Sequence, residues 1–153
     1  MMRKVNAFTA AAVLALVGFG AANADMPGKH PYYLHALSDL RGARWLLQHR
    51  PGDAKVSAHE NLAIQAIDGA IVDIKKAAFD DGKDLQDHPQ MDVQPDYPGR
   101  LHKASEILKK VHGDVNREED DPVVGDLKHR SLVHIDEAIR QTDFAIADVE
   151  RNR

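Results

Sequence analysis

Apolar side chains recur every three or four residues in four separate segments of the chain, which is the period of one face of an α-helix. These segments cover residues 33–47, 63–74, 101–115 and 132–149. Each apolar stripe is one-sided, so each helix must bury it against another element. The pattern therefore predicts an all-α protein with four helices.

Proline, glycine and capping residues set the expected helix boundaries. The first helix begins at Pro31 and ends at "HRPGD", residues 49–53. The second runs from about residue 56 to 79, with Ser57 and Glu60 as a capping box. The third begins near Pro98–Gly99, and the fourth runs from about 126 to 150. The aperiodic segment 80–98 is a long connection that permits either an up-down order or a crossover.

Two short phrases occur twice along the chain. "LHALSDL" at 34–40 matches "LHKASEI" at 101–107, and "IDGAI" at 67–71 matches "IDEAI" at 135–139. The offsets are 67 and 68 residues, so the matches indicate a duplicated helical hairpin, 31–79 and 99–150. One hairpin cannot bury both of its apolar stripes, whereas two can do so as a four-helix bundle.

The first 24 residues are typical of a secretory signal peptide. "MMRK" is a positive start, "AFTAAAVLALVGF" is a short apolar run, and "ANA" at 22–24 supplies the small residues read by a signal peptidase. We expect cleavage before Asp25, export to the periplasm or the medium, and no stable membrane anchor afterwards. Residues 25–153 would then form the bundle.

Composition excludes several functions. The chain has no cysteine, which rules out disulfides, thiolate metal sites and thiol nucleophiles. Removing residues 1–24 leaves 18 basic against 24 acidic residues, a net charge of −6. An acidic surface argues against nucleic acid and anionic lipid as main partners. No phosphate-binding loop, nucleophile elbow or H-E-x-x-H motif is present, so we expect a protein that is not an enzyme.

The repeated phrase carries a histidine–acid pair in each copy. His35 and Asp39, like His102 and Glu106, stand four residues apart and so share a helix face. A metal ligand beside an orienting carboxylate is one interpretation. His35 and His102 each lie roughly 130° from the centre of their apolar stripe, which favours surface ion pairs instead. If the first and third helices are diagonal, the two pairs cannot share a site.

Three further histidines are candidate metal ligands. His112 and His134 stand at similar distances from the turn between the third and fourth helices, so we expect this pair to meet. His59 lies at the edge of an apolar face. The repeat separates it from His134 by about 10 Å along the bundle, too far to share one ion. A divalent transition metal such as zinc, copper or nickel would need a third or fourth ligand. Half-buried, hydrogen-bonded histidines are the alternative.

The stretch "HPYYLHALSDLRGARWLLQHRPGD", with "AAFDDGKDLQDHP" and "GRLHKA" further on, resembles a group of small exported bacterial proteins. The resemblance covers nearly all of residues 25–153. It implies export and helical character, and it carries no catalytic or binding residue over to this chain.

These observations favour a non-enzymatic binding or interaction module of the cell envelope, with a stress response as one setting for it. Such a module should expose an apolar patch. Leu34, Trp45 and Leu46 are the expected patch, because they fall off the main stripe of the first helix. The alternative function is transition-metal binding by histidines.

Overall fold

The computed structural model describes residues 32–50, 55–80, 99–117 and 125–152. Within these ranges the chain forms four α-helices and no β-strand: α1 (Tyr32–Gln48), α2 (Ala58–Asp80), α3 (Arg100–Arg117) and α4 (Gly125–Arg151). The predicted all-α, four-helix architecture is confirmed. The predicted signal peptide and most of the connection 80–98 lie outside the described residues.

Local chemistry determines where α2 and α3 begin. The Ser57 carbonyl accepts the first α2 hydrogen bond, from Asn61 N–H at 3.0 Å. Ser57 Oγ accepts from Glu60 N–H at 3.2 Å, and Glu60 Oε2 accepts from Ser57 N–H at 2.7 Å, which confirms the capping box. At α3, Gly99 has φ +82°, a left-handed conformation that favours glycine, and its carbonyl receives Lys103 N–H at 2.9 Å.

Neighbouring helices run antiparallel around the bundle in the order α1, α2, α4, α3. The start of α3 meets the end of α1, where Arg100 donates to the Leu46 carbonyl at 2.9 Å. The start of α2 likewise meets the end of α4, where His59 faces Asp148. The hairpins α1–α2 and α3–α4 point in opposite directions. The helix contacts make α1/α3 and α2/α4 neighbours, so α1/α4 and α2/α3 are diagonal.

The connection between α2 and α3 is therefore a crossover. Glu60 near the start of α2 contacts Arg100 at the start of α3, so both helices begin at the same end of the bundle. α2 ends at the opposite end of the bundle from the start of α3, so the connection joins the two ends. Nineteen residues reach at most about 65 Å. This is more than the length of α2, which is about 35 Å for its 23 residues, so the connection is long enough. The sequence left this topology open.

The stripes predicted from the sequence form the core. Apolar side chains from all four helices are buried together, among them Leu37, Leu40, Leu47, Ile67, Ile74, Ile107, Leu108, Val111 and Ile135. The fourth stripe is less enclosed than expected, because Leu132, Ile139, Ile146 and Val149 are only partly buried. Leu127 and Ala145 are buried in their place, so α4 is turned slightly from the predicted orientation.

Several residues of the second repeated phrase, at 67–71 and 135–139, occupy matching environments. Ile67 and Ile135 are fully buried, and so are Ala70 and Ala138. Asp68 of α2 accepts from Arg44 Nε of α1 at 2.7 Å, and Asp136 of α4 lies 3.4 Å from His112 Nε2 of α3. Each basic residue precedes its aspartate by 24 positions. A duplicated hairpin would produce this pattern; the duplication itself stays a prediction.

Candidate functional sites: histidine–carboxylate pairs and an apolar face

Four histidines of the described ranges each face a carboxylate on another helix. The measured distances join Nε2 of the histidine to a carboxylate oxygen: His59 to Asp148 at 3.8 Å, His134 to Asp73 at 3.8 Å, His112 to Asp136 at 3.4 Å and His102 to Glu150 at 3.6 Å. All four pairs include a residue of α4. They join α4 to α2 or to α3 at several levels of the bundle.

The structure does not bring His112 and His134 together. His112 faces Asp136, whereas His134 points to the α2 side of α4. His134 and Asp136 are two positions apart on α4, which separates their directions by about 200°. The two histidines therefore lie on opposite flanks of α4. Their similar distance from the helix turn could be read from the sequence, but the rotation of α4 could not.

The surface pairs of the repeat also differ from expectation. Asp39 is buried rather than exposed, and its Oδ2 lies 3.3 Å from Lys110 Nζ. His102 and Glu106 are exposed, as predicted. α1 and α3 are neighbours, not diagonal, but they run antiparallel, so His35 and His102 stand about 16 Å apart along the axis. The two histidines cannot share one ion.

His134 lies directly on the backbone of α2. A Cβ at Gly69 would stand 2.9 Å from Cε1 of the imidazole, closer than real contacts allow. The ring extends from there towards Asp73, whose carboxylate also accepts from Arg130 Nη2 at 2.8 Å and Nε at 3.4 Å. This fork of two hydrogen bonds raises the pKa of Arg130. Gly69 therefore serves tertiary packing.

His59 belongs to a hydrogen-bonded chain that crosses from α2 to α4. Its Nδ1 lies 2.7 Å from Oε1 of Gln141, and Nε2 of Gln141 donates to Oε1 of Glu137 at 2.8 Å. The Gln141 hydrogen bond, helped by Arg140, holds the pKa of Glu137 below its ordinary value. The imidazole ring of His59 also contacts the ring of Phe144, with the two ring centroids 5.2 Å apart.

A buried charge pair closes this end of the bundle. Arg100 contacts Glu60, which is fully buried, and also donates to the Leu46 carbonyl at the end of α1. Burial by itself raises the pKa of Glu60, but the hydrogen bonds from Ser57 and the guanidinium of Arg100 hold it below its ordinary value of 4.5. The sequence suggested Glu60 as a helix cap only, and no sequence signal pointed to Arg100.

An open cleft of about 660 Å³ lies beside this charge pair, between the start of α2 and the end of α4. Arg50, Ser57 and Glu60 line one wall, and Asp148 and Asn152 line the other. Glu60 is engaged, since Arg50 Nε lies 3.5 Å from its Oε2. His59 reaches the opposite wall through its contact with Asp148.

The exposed large apolar side chains of the described residues all belong to α2 and α4. Together they form what we call the α2/α4 apolar surface: Leu62, Val72 and Phe79 on α2, and Val133 and Phe144 on α4, with 44–69% of each exposed. The expected patch on α1 is wrong, because Leu34 and Leu46 are 3% and 1% exposed and Trp45 is partly buried.

None of the helices in the described ranges has the length and apolar character required to cross a membrane. In the same ranges, no three histidine or carboxylate side chains come close enough to hold a metal ion together.

Comparison of the chain with protein-family models, with curated proteins and with solved structures finds no match.

Proposed function

We propose that this protein is a non-enzymatic interaction module of the bacterial cell envelope, which binds a protein partner through the α2/α4 apolar surface. The observation that carries the proposal is the confinement of the exposed large apolar side chains to two of the four described helices. Scattered apolar residues are normal on a protein surface, whereas a concentration on one side is typical of an interaction site.

Two contacts along the seam between α2 and α4 lie beside members of this surface. Phe144 touches His59, and Leu62 follows His59 by three residues on the same side of α2. Further along, Val133 is next to His134, which lies on Gly69 of α2. The apolar side chains therefore follow the two antiparallel helices over several turns.

The charges beside this surface favour a partner of a particular chemistry. Arg130 pairs with Asp73 at 2.8 Å, Lys76 pairs with Asp80 at 2.9 Å, and Arg140 pairs with Glu137. In each ion pair the positive and the negative side chain compensate each other within the molecule, so the three pairs leave little net charge. The partner is therefore a protein surface that presents apolar side chains with little net charge, and neither a nucleic acid nor an anionic membrane fits it.

The export part of the proposal rests on the leader pattern of residues 1–24 and on the resemblance to small exported proteins. Fractionation of the producing cell, with mass spectrometry of the purified chain, tests it directly. We expect the protein in the periplasm or the medium with Asp25 as its first residue. A chain that keeps residue 1 and stays in the cytoplasm would refute export.

Photo-crosslinking in the producing cell tests the partner. A crosslinking residue is placed at Val72 or Val133, and, as the control, at Lys109 on the exposed side of α3. We expect the same envelope protein to be captured from both apolar positions and not from Lys109. The purified partner should then bind the wild-type protein.

A pair of variants with the same added charge makes this test specific. Leu62→Glu alters the apolar surface, whereas Gln65→Glu changes an exposed residue of the same helix. We expect Leu62→Glu to abolish capture and binding, and Gln65→Glu to retain both. Equal capture from Lys109, binding that survives Leu62→Glu, or capture of nothing but a second copy of the chain would refute the proposal.

A further inference from the structure

The hydrogen-bonded chain at His59 determines which ring nitrogen carries the proton. A carboxylate only accepts hydrogen bonds, so Gln141 must direct its amide NH₂ to Glu137, at 2.8 Å, and its carbonyl oxygen to His59. His59 Nδ1 must then be the donor. In the neutral imidazole, the remaining nitrogen, Nε2, carries a lone pair.

That lone pair faces a second acceptor. His59 Nε2 and Asp148 Oδ2 are 3.8 Å apart, and Asp148 also lines the open cleft. Two acceptors gain nothing from facing each other unless a proton or a metal cation lies between them. An imidazole whose far nitrogen donates to a fixed acceptor is also the arrangement that orients histidine ligands in metalloproteins.

We propose that His59 Nε2 and Asp148 Oδ2 bind one divalent transition-metal ion of the zinc, copper and nickel group. Imidazole nitrogen with a single carboxylate oxygen suits these ions better than magnesium or calcium, which prefer oxygen ligands throughout. The site has two protein ligands, and water completes the coordination, because both side chains are more than a third exposed. Ligand bonds of about 2 Å bring the two atoms a few tenths of an ångström closer than 3.8 Å.

The other three histidine–carboxylate pairs lack one of these features. Asp73, opposite His134, is already engaged by two nitrogen atoms of Arg130. Among the described residues, no hydrogen bond orients the ring of His112 or His102. The chain from Glu137 through Gln141 therefore distinguishes His59.

Arg151 supplies a competing charge at the site. Its guanidinium contacts Oδ1 of Asp148, while the histidine faces Oδ2 of the same carboxylate. The arginine is 74% exposed and can leave without disturbing the core. A cation at Oδ2 is repelled by it, so its removal should tighten metal binding. A merely structural role for Asp148 would not predict this gain.

Calorimetric titration of Zn²⁺ into the tag-free protein tests the site, together with NMR of the histidine ring nitrogens. We expect one equivalent of zinc to bind and to shift the Nε2 resonance of His59. His59→Gln and Asp148→Asn should weaken binding at least 10-fold. Gln141→Leu removes the amide that accepts from His59 and donates to Glu137, and it should weaken binding about 10- to 100-fold. Arg151→Gln should strengthen it several-fold.

His134→Gln is the matched control, because it removes a second half-exposed histidine from the α2/α4 seam and should leave zinc affinity unchanged. Circular dichroism of each variant checks that the helices are retained. The proposal is overturned if Asp148→Asn and His59→Gln bind zinc as wild type does. It is equally overturned if zinc shifts the resonances of another histidine, or if His59 responds to pH and not to zinc. None of these outcomes depends on the protein partner.

Discussion

The imidazole of His134 occupies the space that a side chain at Gly69 would need, with Cε1 2.9 Å from the position of a Cβ. Gly69 stands in the middle of a 23-residue helix, where glycine is the weakest helix former apart from proline. The repeat has Glu137 at the equivalent position of α4. A glycine is tolerated in α2 because it lets the histidine of α4 lie against the helix backbone.

Gly69→Ala should therefore stabilise the protein only when His134 is absent. Alanine adds about 1 kcal/mol of helix propensity. In the wild-type chain the new methyl group displaces the half-exposed imidazole of His134 from Asp73. The cost of this displacement cancels the gain in helix propensity. Urea unfolding of wild type, Gly69→Ala, His134→Ala and the double variant measures the difference. An equal effect of Gly69→Ala in both backgrounds would show that the contact is without energetic consequence.

Removing one member of the Glu60–Arg100 pair should destabilise the bundle strongly. Arg100→Met leaves a buried carboxylate without its main partner, which costs about 3–5 kcal/mol. Glu60→Leu combined with Arg100→Met should cost less than the sum of the two single changes, because no isolated charge remains. Lys103→Met, at a partly exposed position of α3, is the control and should change stability by less than about 0.5 kcal/mol. Denaturant unfolding compares all four variants.

Glu60 should also make the protein sensitive to acid. Its pKa in the folded protein lies below the ordinary 4.5, so folding favours the ionised carboxylate. The resulting stability is present above pH 4.5 and is lost as the pH falls through the lower, folded-state pKa. Between pH 7 and 3, unfolding free energies of wild type should decline more than those of Glu60→Gln. Parallel declines would mean that other carboxylates dominate acid unfolding.

The location of the apolar patch predicts opposite responses from two leucines. Leu34 is 3% exposed, so Leu34→Ala should cost about 2–5 kcal/mol. Leu62 is 44% exposed, so Leu62→Ala should cost less than about 1 kcal/mol while weakening partner binding. Thermal and urea unfolding check the stabilities. A costly Leu62→Ala would mean that this leucine belongs to the core and not to a binding surface.

The helices and most of their buried faces follow from short-range patterns along the chain. Periodicity and capping are local properties, so the start of α2 at the Ser57–Glu60 box and the stripe from Leu101 to Val115 follow from residues a few positions apart. The aperiodic segment 80–98 predicts a long connection, but its length suits two topologies. Contacts between distant residues, such as that between Glu60 and Arg100, 40 residues apart, decided for a crossover.

The candidate sites depended on tertiary structure instead. His59 meets Gln141 across 82 residues, and Asp39 meets Lys110 across 71. Such contacts depend on how far each helix is rotated and shifted against its neighbours. A rotation of about 100° is enough for one side chain to take the direction of the next side chain along the helix. The sequence could name histidines and carboxylates as candidates, but which of them meet was decided by the packing of four helices, because that packing fixes rotation and register together.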